Sequence, residues 1–150
     1  RICRGHPVCS SGRDQGRRSR GDEPMPTRVK VFFDGGCRPN PGTMEIAVVT
    51  LGQTIVLPDA GYGTSSDAEW LALIHALTVA RSLGLPAFVL LGDAADVVAK
   101  ASGIRRCRGA DAHHLERFRE LATSSDAPRV RYIKRSQNLA GIALARLHPR

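Results

Sequence analysis

The sequence predicts an α/β domain: a five-stranded mixed sheet, three antiparallel strands followed by strands parallel to the first, flanked by helices. Three observations support that class. Short β-prone runs crowd into residues 28–57, one long stretch of helical periodicity follows at 67–83, and beyond it apolar runs of strand length alternate with helical repeats. Alternation of that kind marks crossover connections, which return each later strand to the same sheet, parallel to the first.

The elements follow in order. Residues 28–33 are a β-prone run with two valines and two phenylalanines, and the run ends at Asp34-Gly35-Gly36, where glycines permit a sharp turn. Runs 45–51 and 53–57, joined at Gly52, read as a hairpin. From about 67 to 83, Leu73, Leu77 and Ala80 recur on one side of a helix, Leu71, Ile74 and Thr78 widen the stripe, and Gly84 and Pro86 stop it. Residues 87–91 are continuously apolar and close at Gly92-Asp93, as expected of a strand buried on both faces. A short helix over 94–101 is interrupted at Gly103. Leu115, Phe118, Leu121 and Ala122 mark a helix over 111–123, Pro128 precedes a strand at 130–133, and an amphipathic helix takes in 139–147. Trp70, Phe32 and Phe33 are expected in the core, and His113 and His114 in solvent.

At 150 residues the chain has the size of one domain, and 42% apolar with 24% charged residues is a globular composition. Its apolar runs are far shorter than the roughly 20 residues that cross a bilayer, so no membrane association is expected. Residues 1–24 lack the apolar core of a secretory signal and are rich in Arg, Ser and Gly. Residues 1–27 are expected to be a disordered basic extension before a domain at 28–150, with Met25 as the natural start; a basic arm that adds affinity for polyanions is the alternative. Lys and Arg outnumber Asp and Glu by 22 to 14, a formal charge of +8 that favours solubility or a polyanionic partner. The cysteines, Cys3, Cys9, Cys37 and Cys107, show no C-x-x-C spacing, which points to a reducing cytoplasm. Cys3, His6 and Cys9 lack the fourth ligand and the frame of a structural metal site. A monomer is expected.

Three carboxylates occupy informative places: Asp34 at the end of the first strand, Glu69 in the first turn of the long helix, and Asp93 at the end of the fourth strand. If strands one and four are parallel neighbours, Asp34 and Asp93 emerge at the same sheet edge, where open α/β sheets carry their sites. Like charges so placed call for a hard divalent cation such as Mg²⁺. Each residue also has a structural alternative. Asp34 beside two glycines suits a turn, Ser66-Asp67-Ala68-Glu69 is an S-x-x-E capping box, and Asp93 could cap the next helix.

Asp34-Gly35-Gly36-Cys37-Arg38-Pro39-Asn40-Pro41-Gly42 resembles the opening signature of the type I ribonuclease H family, a strand-end Asp followed six residues later by Asn-Pro-Gly. Thr64-Ser65-Ser66-Asp67-Ala68-Glu69-Trp70-Leu71-Ala72 resembles the second block, Leu91-Gly92-Asp93 the third, and Arg135-Ser136-Gln137-Asn138 the opening of the fourth. The resemblance runs from about Val29 to Arg146. It implies a ribonuclease H-like fold and cleavage of the RNA strand of an RNA–DNA hybrid by two-metal chemistry with Mg²⁺ or Mn²⁺. Asp34, Glu69 and Asp93 would hold the metals and be catalytic; Gly35, Cys37, Asn40, Thr64, Ser65, Ser66, Arg135 and Asn138 would bind substrate. Within that set Asn40 would face the 2′-hydroxyl side of the RNA and Thr64 a DNA phosphate, while Ser65 and Ser66 stand where the family usually has longer amide side chains. The departure is Ile142, which falls where the family has a fourth carboxylate and cannot ligate a metal. Asp96 could compensate or be a first-turn helix charge. A catalytically silent nucleic-acid-binding module is therefore the alternative function, and a DNA-directed nuclease a weaker third. Arg105, Arg106 and Arg108, with Arg129, Arg131, Lys134 and Arg135, offer basic surface for the hybrid.

Overall fold

A computed structural model describes residues 27–122 and 128–148. The basic extension expected over 1–27, with Cys3, His6, Cys9 and Met25, lies outside the described residues except for Thr27. The chain forms β1 (Val29–Cys37), β2 (Gly42–Thr50), β3 (Gln53–Leu57), β4 (Tyr62–Gly63), α1 (Ser65–Ser82), β5 (Phe88–Gly92), α2 (Ala95–Ala101), α3 (Ala110–Leu121), β6 (Arg129–Tyr132), a single 3₁₀ turn (Arg135–Gln137) and α4 (Leu139–Ala145). The sheet order is β3-β2-β1-β5-β6, with β2 antiparallel to β1 and β3, and β5 parallel to β1 and β6.

Along β1 the side chains alternate between two cores. Val31 and Phe33 join the larger core under α1 with Trp70, Leu73, Leu77 and Leu90, and α2 and α3 complete that layer through Val97, Leu115 and Phe118. Phe32 packs on the opposite face with Ala47, Val49, Ala140 and Leu144, beneath α4. The helix stripe expected on α1 is present, though Thr78 is exposed rather than buried. Leu51 and Gly52 both have positive φ, 50° and 73°, which makes the β2–β3 connection a two-residue hairpin turn. Among the described residues no helix is long and apolar enough to cross a membrane.

One expectation needs correction here. Asp34-Gly35-Gly36 is not a turn: β1 continues through it, with Asp34 paired to Ala47, Gly35 to Ile46 and Gly36 to Glu45. The five expected strands form the continuous sheet, and a two-residue strand not foreseen in the sequence pairs with β2 off that path. The extra one, β4, is held by Gly42–Gly63 and Thr43–Tyr62 pairing and is too short to show any periodicity.

Gly35 is required by contact, not by turn geometry. A Cβ there would sit 2.2 Å from the Ala68 carbonyl oxygen and 2.9 Å from the Glu69 nitrogen, so α1 rests directly on the backbone of β1. Replacing Gly35 with alanine must push a helix off a strand, and overpacking of this kind costs about 1–3 kcal/mol or more. Gly35→Ala is accordingly expected to lower the unfolding free energy by that amount and the urea midpoint with it, whereas Gly36→Ala, whose added Cβ meets nothing within 4 Å, should leave the midpoint close to the parent.

Candidate active site

The parallel register of β1 and β5 pairs Phe32 with Leu91. Asp34 and Asp93 each lie two residues further along, so both reach the same rim of the sheet, Asp34 from within its strand and Asp93 just past its own. Glu69 arrives from α1. The helix starts earlier than its periodicity suggests: Thr64 is the N-cap, its hydroxyl accepts from the Asp67 backbone N–H, and the Asp67 carboxylate accepts from the Thr64 N–H. The capping box is thus Thr64/Asp67 and not Ser66/Glu69. Glu69 stands one turn deeper, free of cap duty and directed at β1.

One oxygen from each of Asp34, Glu69 and Asp93 lies within 4.8 Å of the others. Asp34 is only 9% exposed. Burial, then the neighbouring carboxylates, push Glu69 up to about 10, and burial pushes Asp34 up to about 6. The hydrogen bond between the two side chains favours the proton on Glu69 over Asp34, the way two crowded carboxylates share one charge. The Gly35 N–H turns toward both and offsets part of the rise. The Glu69 Oε2 atom is buried and has no hydrogen-bond partner. An orphaned carboxylate oxygen among three converging acids is the donor set a hard divalent cation takes.

Asp93 is fixed from two sides. Its Oδ1 accepts from Asn138 Nδ2 at 3.2 Å, and Arg135 Nε lies 3.4 Å from its Oδ2. Asn138 is fully buried; it also donates to the Phe33 carbonyl at 3.0 Å and caps α4 by accepting from the Ala140 N–H at 3.2 Å. A side chain with no exposure and three internal bonds cannot touch substrate, so the direct contact expected of Asn138 gives way to a positioning role. Arg135 is 91% exposed at its side chain and open to a ligand.

A second group gathers beside the acids. Asn40 Oδ1 accepts from the Ser65 N–H at 3.1 Å, and the Cys37 thiol lies within 3.5 Å of both Asn40 Oδ1 and Ser65 Oγ. Ser66 is exposed on the same helix end. Thr64 is at this end too, but its hydroxyl donates to Asp67 Oδ2 at 2.9 Å while accepting from the Asp67 N–H, so the cap already occupies the group expected to hold a phosphate. The backbone N–H of Thr64 and His114 hold the Asp67 carboxylate below its usual range. That histidine corrects an expectation: His114 is not in solvent but stacks on Trp70, ring centroids 6.0 Å apart, with Nε2 2.9 Å from Asp67 Oδ1. Trp70 is fully buried and donates to Asp111.

Asp34 and Glu69 open into a cavity of about 450 Å³ whose walls also include Arg135, Gly141, Ile142 and Glu45. Ile142 is 40% exposed there. Asp96 does not replace it; Asp96 pairs with Lys100 and Arg105 as a first-turn helix charge. Two wall residues carried no sequence signal. Gly141 allows α4 to approach, since a Cβ would lie 3.1 Å from Asp34 Oδ2. Glu45 shows itself only through the β1–β2 register, which puts it on the Asp34 face.

A mixed sheet in this order, with acids from β1, α1 and the end of β5 meeting at its rim, is the architecture of a ribonuclease H-like domain. A family model described as "Reverse transcriptase-like" matches residues 33–148. Ribonuclease HI of Halobacterium salinarum is 32% identical over 124 residues, which are 79% of this chain and 62% of that protein, so the chain spans less than two thirds of this relative's length. The crystal structure of RNase H1 from Halobacterium salinarum superposes with a TM-score of 0.68 at 31% identity, covering 79% of this chain and 94% of that one. LC11-RNase H1, solved in complex with RNA/DNA hybrid, shares the fold with a TM-score of 0.69 at 22% identity, covering 78% of this chain and 93% of that one. The chain belongs to the ribonuclease H family.

The shifted acids link stability to pH. Both Asp34 and Glu69 bind protons more tightly folded than unfolded, so their contribution is complete below about pH 4 and is lost as pH rises through about 6 and then about 10. The metal-free protein should therefore lose stability, by urea midpoint, between about pH 5 and 9, and Glu69→Gln should flatten that decline because the most strongly raised carboxyl is then gone.

Proposed function

We propose that the chain is a metal-dependent endonuclease that cleaves the RNA strand of RNA–DNA hybrids. The observation that carries this reading is the convergence of Asp34, Glu69 and Asp93 within 4.8 Å, with a buried Glu69 oxygen unpartnered. These three would hold Mg²⁺ or Mn²⁺. When bound, such ions activate water for attack on a phosphodiester and stabilise the leaving oxygen. The protein's own groups prepare the rest: Asn138 and Arg135 orient Asp93, and the Gly35 N–H steadies both raised carboxylates.

The neighbouring group supplies recognition in this reading. Asn40, Cys37, Ser65 and Ser66, beside Gly35, would line the RNA side, where a 2′-hydroxyl distinguishes RNA from DNA. Thr64 would meet the other strand's phosphate at the exposed end of α1 once its hydroxyl exchanges the Asp67 carboxylate for it, and the exposed Arg135 would add a phosphate contact. Arg105, Arg106, Arg108, Arg129, Arg131 and Lys134 are likewise exposed and would give affinity that falls steeply with salt. The chain would act as a monomer in a reducing cytoplasm, in keeping with the free thiols of Cys37 and Cys107.

Ile142 favours a second reading, a binding module without turnover, because the cavity wall from α4 is apolar where a charge would complete the site. The two readings separate on a labelled hybrid. The enzyme cuts the RNA strand with Mg²⁺ or Mn²⁺, Asp34→Asn lowers the rate by about a hundredfold or more, and Ile142→Asp raises it. Salt-sensitive hybrid binding with no cutting in the parent at any metal concentration would leave the binding module. Equal cutting of a duplex lacking ribose hydroxyls would make it a DNA-directed nuclease.

A further inference from the structure

Outside the three converging acids, the described residues place one more carboxylate on the wall of the same cavity. Glu45 pairs with Gly36 across the β1–β2 ladder, and Asp34 pairs with Ala47, so Glu45 and Asp34 are diagonal neighbours on one face of the sheet. Such diagonal positions lie about 7–8 Å apart, within the reach of a long side chain. The residue between them on that face, Gly36, has no side chain, and a Cβ built there meets nothing within 4 Å. Open space therefore joins the two carboxylates along the sheet surface. Ile142 lines the same cavity.

Glu45 is held, not loose. Its side chain is 13% exposed, and His148 Nε2 lies 2.8 Å from both of its oxygens. A carboxylate offers about four lone-pair sites, and one bifurcated contact leaves others free to accept. Glu45 does not belong to the group of acids that can share one ion directly, because that group among the described residues is Asp34, Glu69 and Asp93. A long side chain at the position diagonal to Asp34 suits acceptance from the water that a hydrated divalent ion retains.

We propose that Glu45 takes over, from β2, the charge that α4 lacks at Ile142, and acts as a positioning residue that accepts hydrogen bonds from the water shell of an ion held by Asp34. This rests on the metal-dependent reading above. Partners of this outer kind typically change metal affinity by about 10- to 100-fold. The substitution is strand-compatible and the role is electrostatic, so it can be read without turnover.

Mn²⁺ binding to the whole chain, followed by calorimetry and by the paramagnetic resonance of free Mn²⁺, tests the assignment. Glu45→Gln should weaken the weaker Mn²⁺ binding step by about tenfold or more at unchanged urea midpoint in the absence of metal. Ile142→Asp should tighten that step more in the Glu45→Gln background than in the parent, because two carboxylates serving one water shell are not additive. Mn²⁺ affinity in Glu45→Gln equal to the parent, or additive effects in the double variant, overturns the Glu45 assignment and leaves the nuclease reading standing if Asp34→Asn loses the ion. Absence of Mn²⁺ binding by the parent overturns both.

Discussion

The bare backbone at Gly35 is the constraint on which the site depends. With no side chain on that residue, α1 settles onto β1 until the Ala68 carbonyl fills the place a methyl group would need. That depth brings Glu69 to Asp34. A helix displaced outward by a single methyl would still pack its Leu73 and Leu77 against the sheet, yet it would carry Glu69 away from the rim. Close packing and chemistry are thus set at one residue, and the larger core under α1 fixes the helix so that the approach is reproducible.

Three acids held that tightly are costly in isolation. The protein offsets the cost locally: a proton stays on Glu69, the Gly35 N–H faces both raised groups, and Asn138 donates to Asp93. None of these neutralises the site completely, and a buried oxygen stays unpartnered. The structure therefore holds strain in reserve where a cation would relieve it, the arrangement expected where electrostatic work is done. The α4 side is different, since Gly141 and Ile142 bring close backbone and apolar surface rather than charge.

Much of this was legible in the residues. The alternation of runs predicted the mixed sheet, and the Asp-Gly-Gly, Glu and Gly-Asp positions predicted the three acids and their common edge. What could not be read follows from physics that sequence spacing does not carry. Glycines at 35 and 36 look like a turn because glycine is permissive, but here one is needed for a close approach between elements distant in sequence. Thr64 and Ser66 are both good caps with an acid three residues on, and local chemistry alone cannot rank them; freeing Glu69 for Asp34 decides in favour of Thr64. His114 looked solvent-facing because its partners, Trp70 and Asp67, lie on another helix. Glu45 was invisible until strand register was known.

Asn138 deserves a last consequence. One buried amide joins the Phe33 carbonyl, 105 positions earlier in the chain, to Asp93 and to the first turn of α4. Contacts of such separation form late, after the entropy of closing a long loop has been met. A growing polypeptide can fold β1, β2 and the α1 layer first, but until residues 135–138 arrive its third acid lacks both anchors. Convergence of the three acids is thus a late event in folding, completed only when segments far apart in the chain have docked.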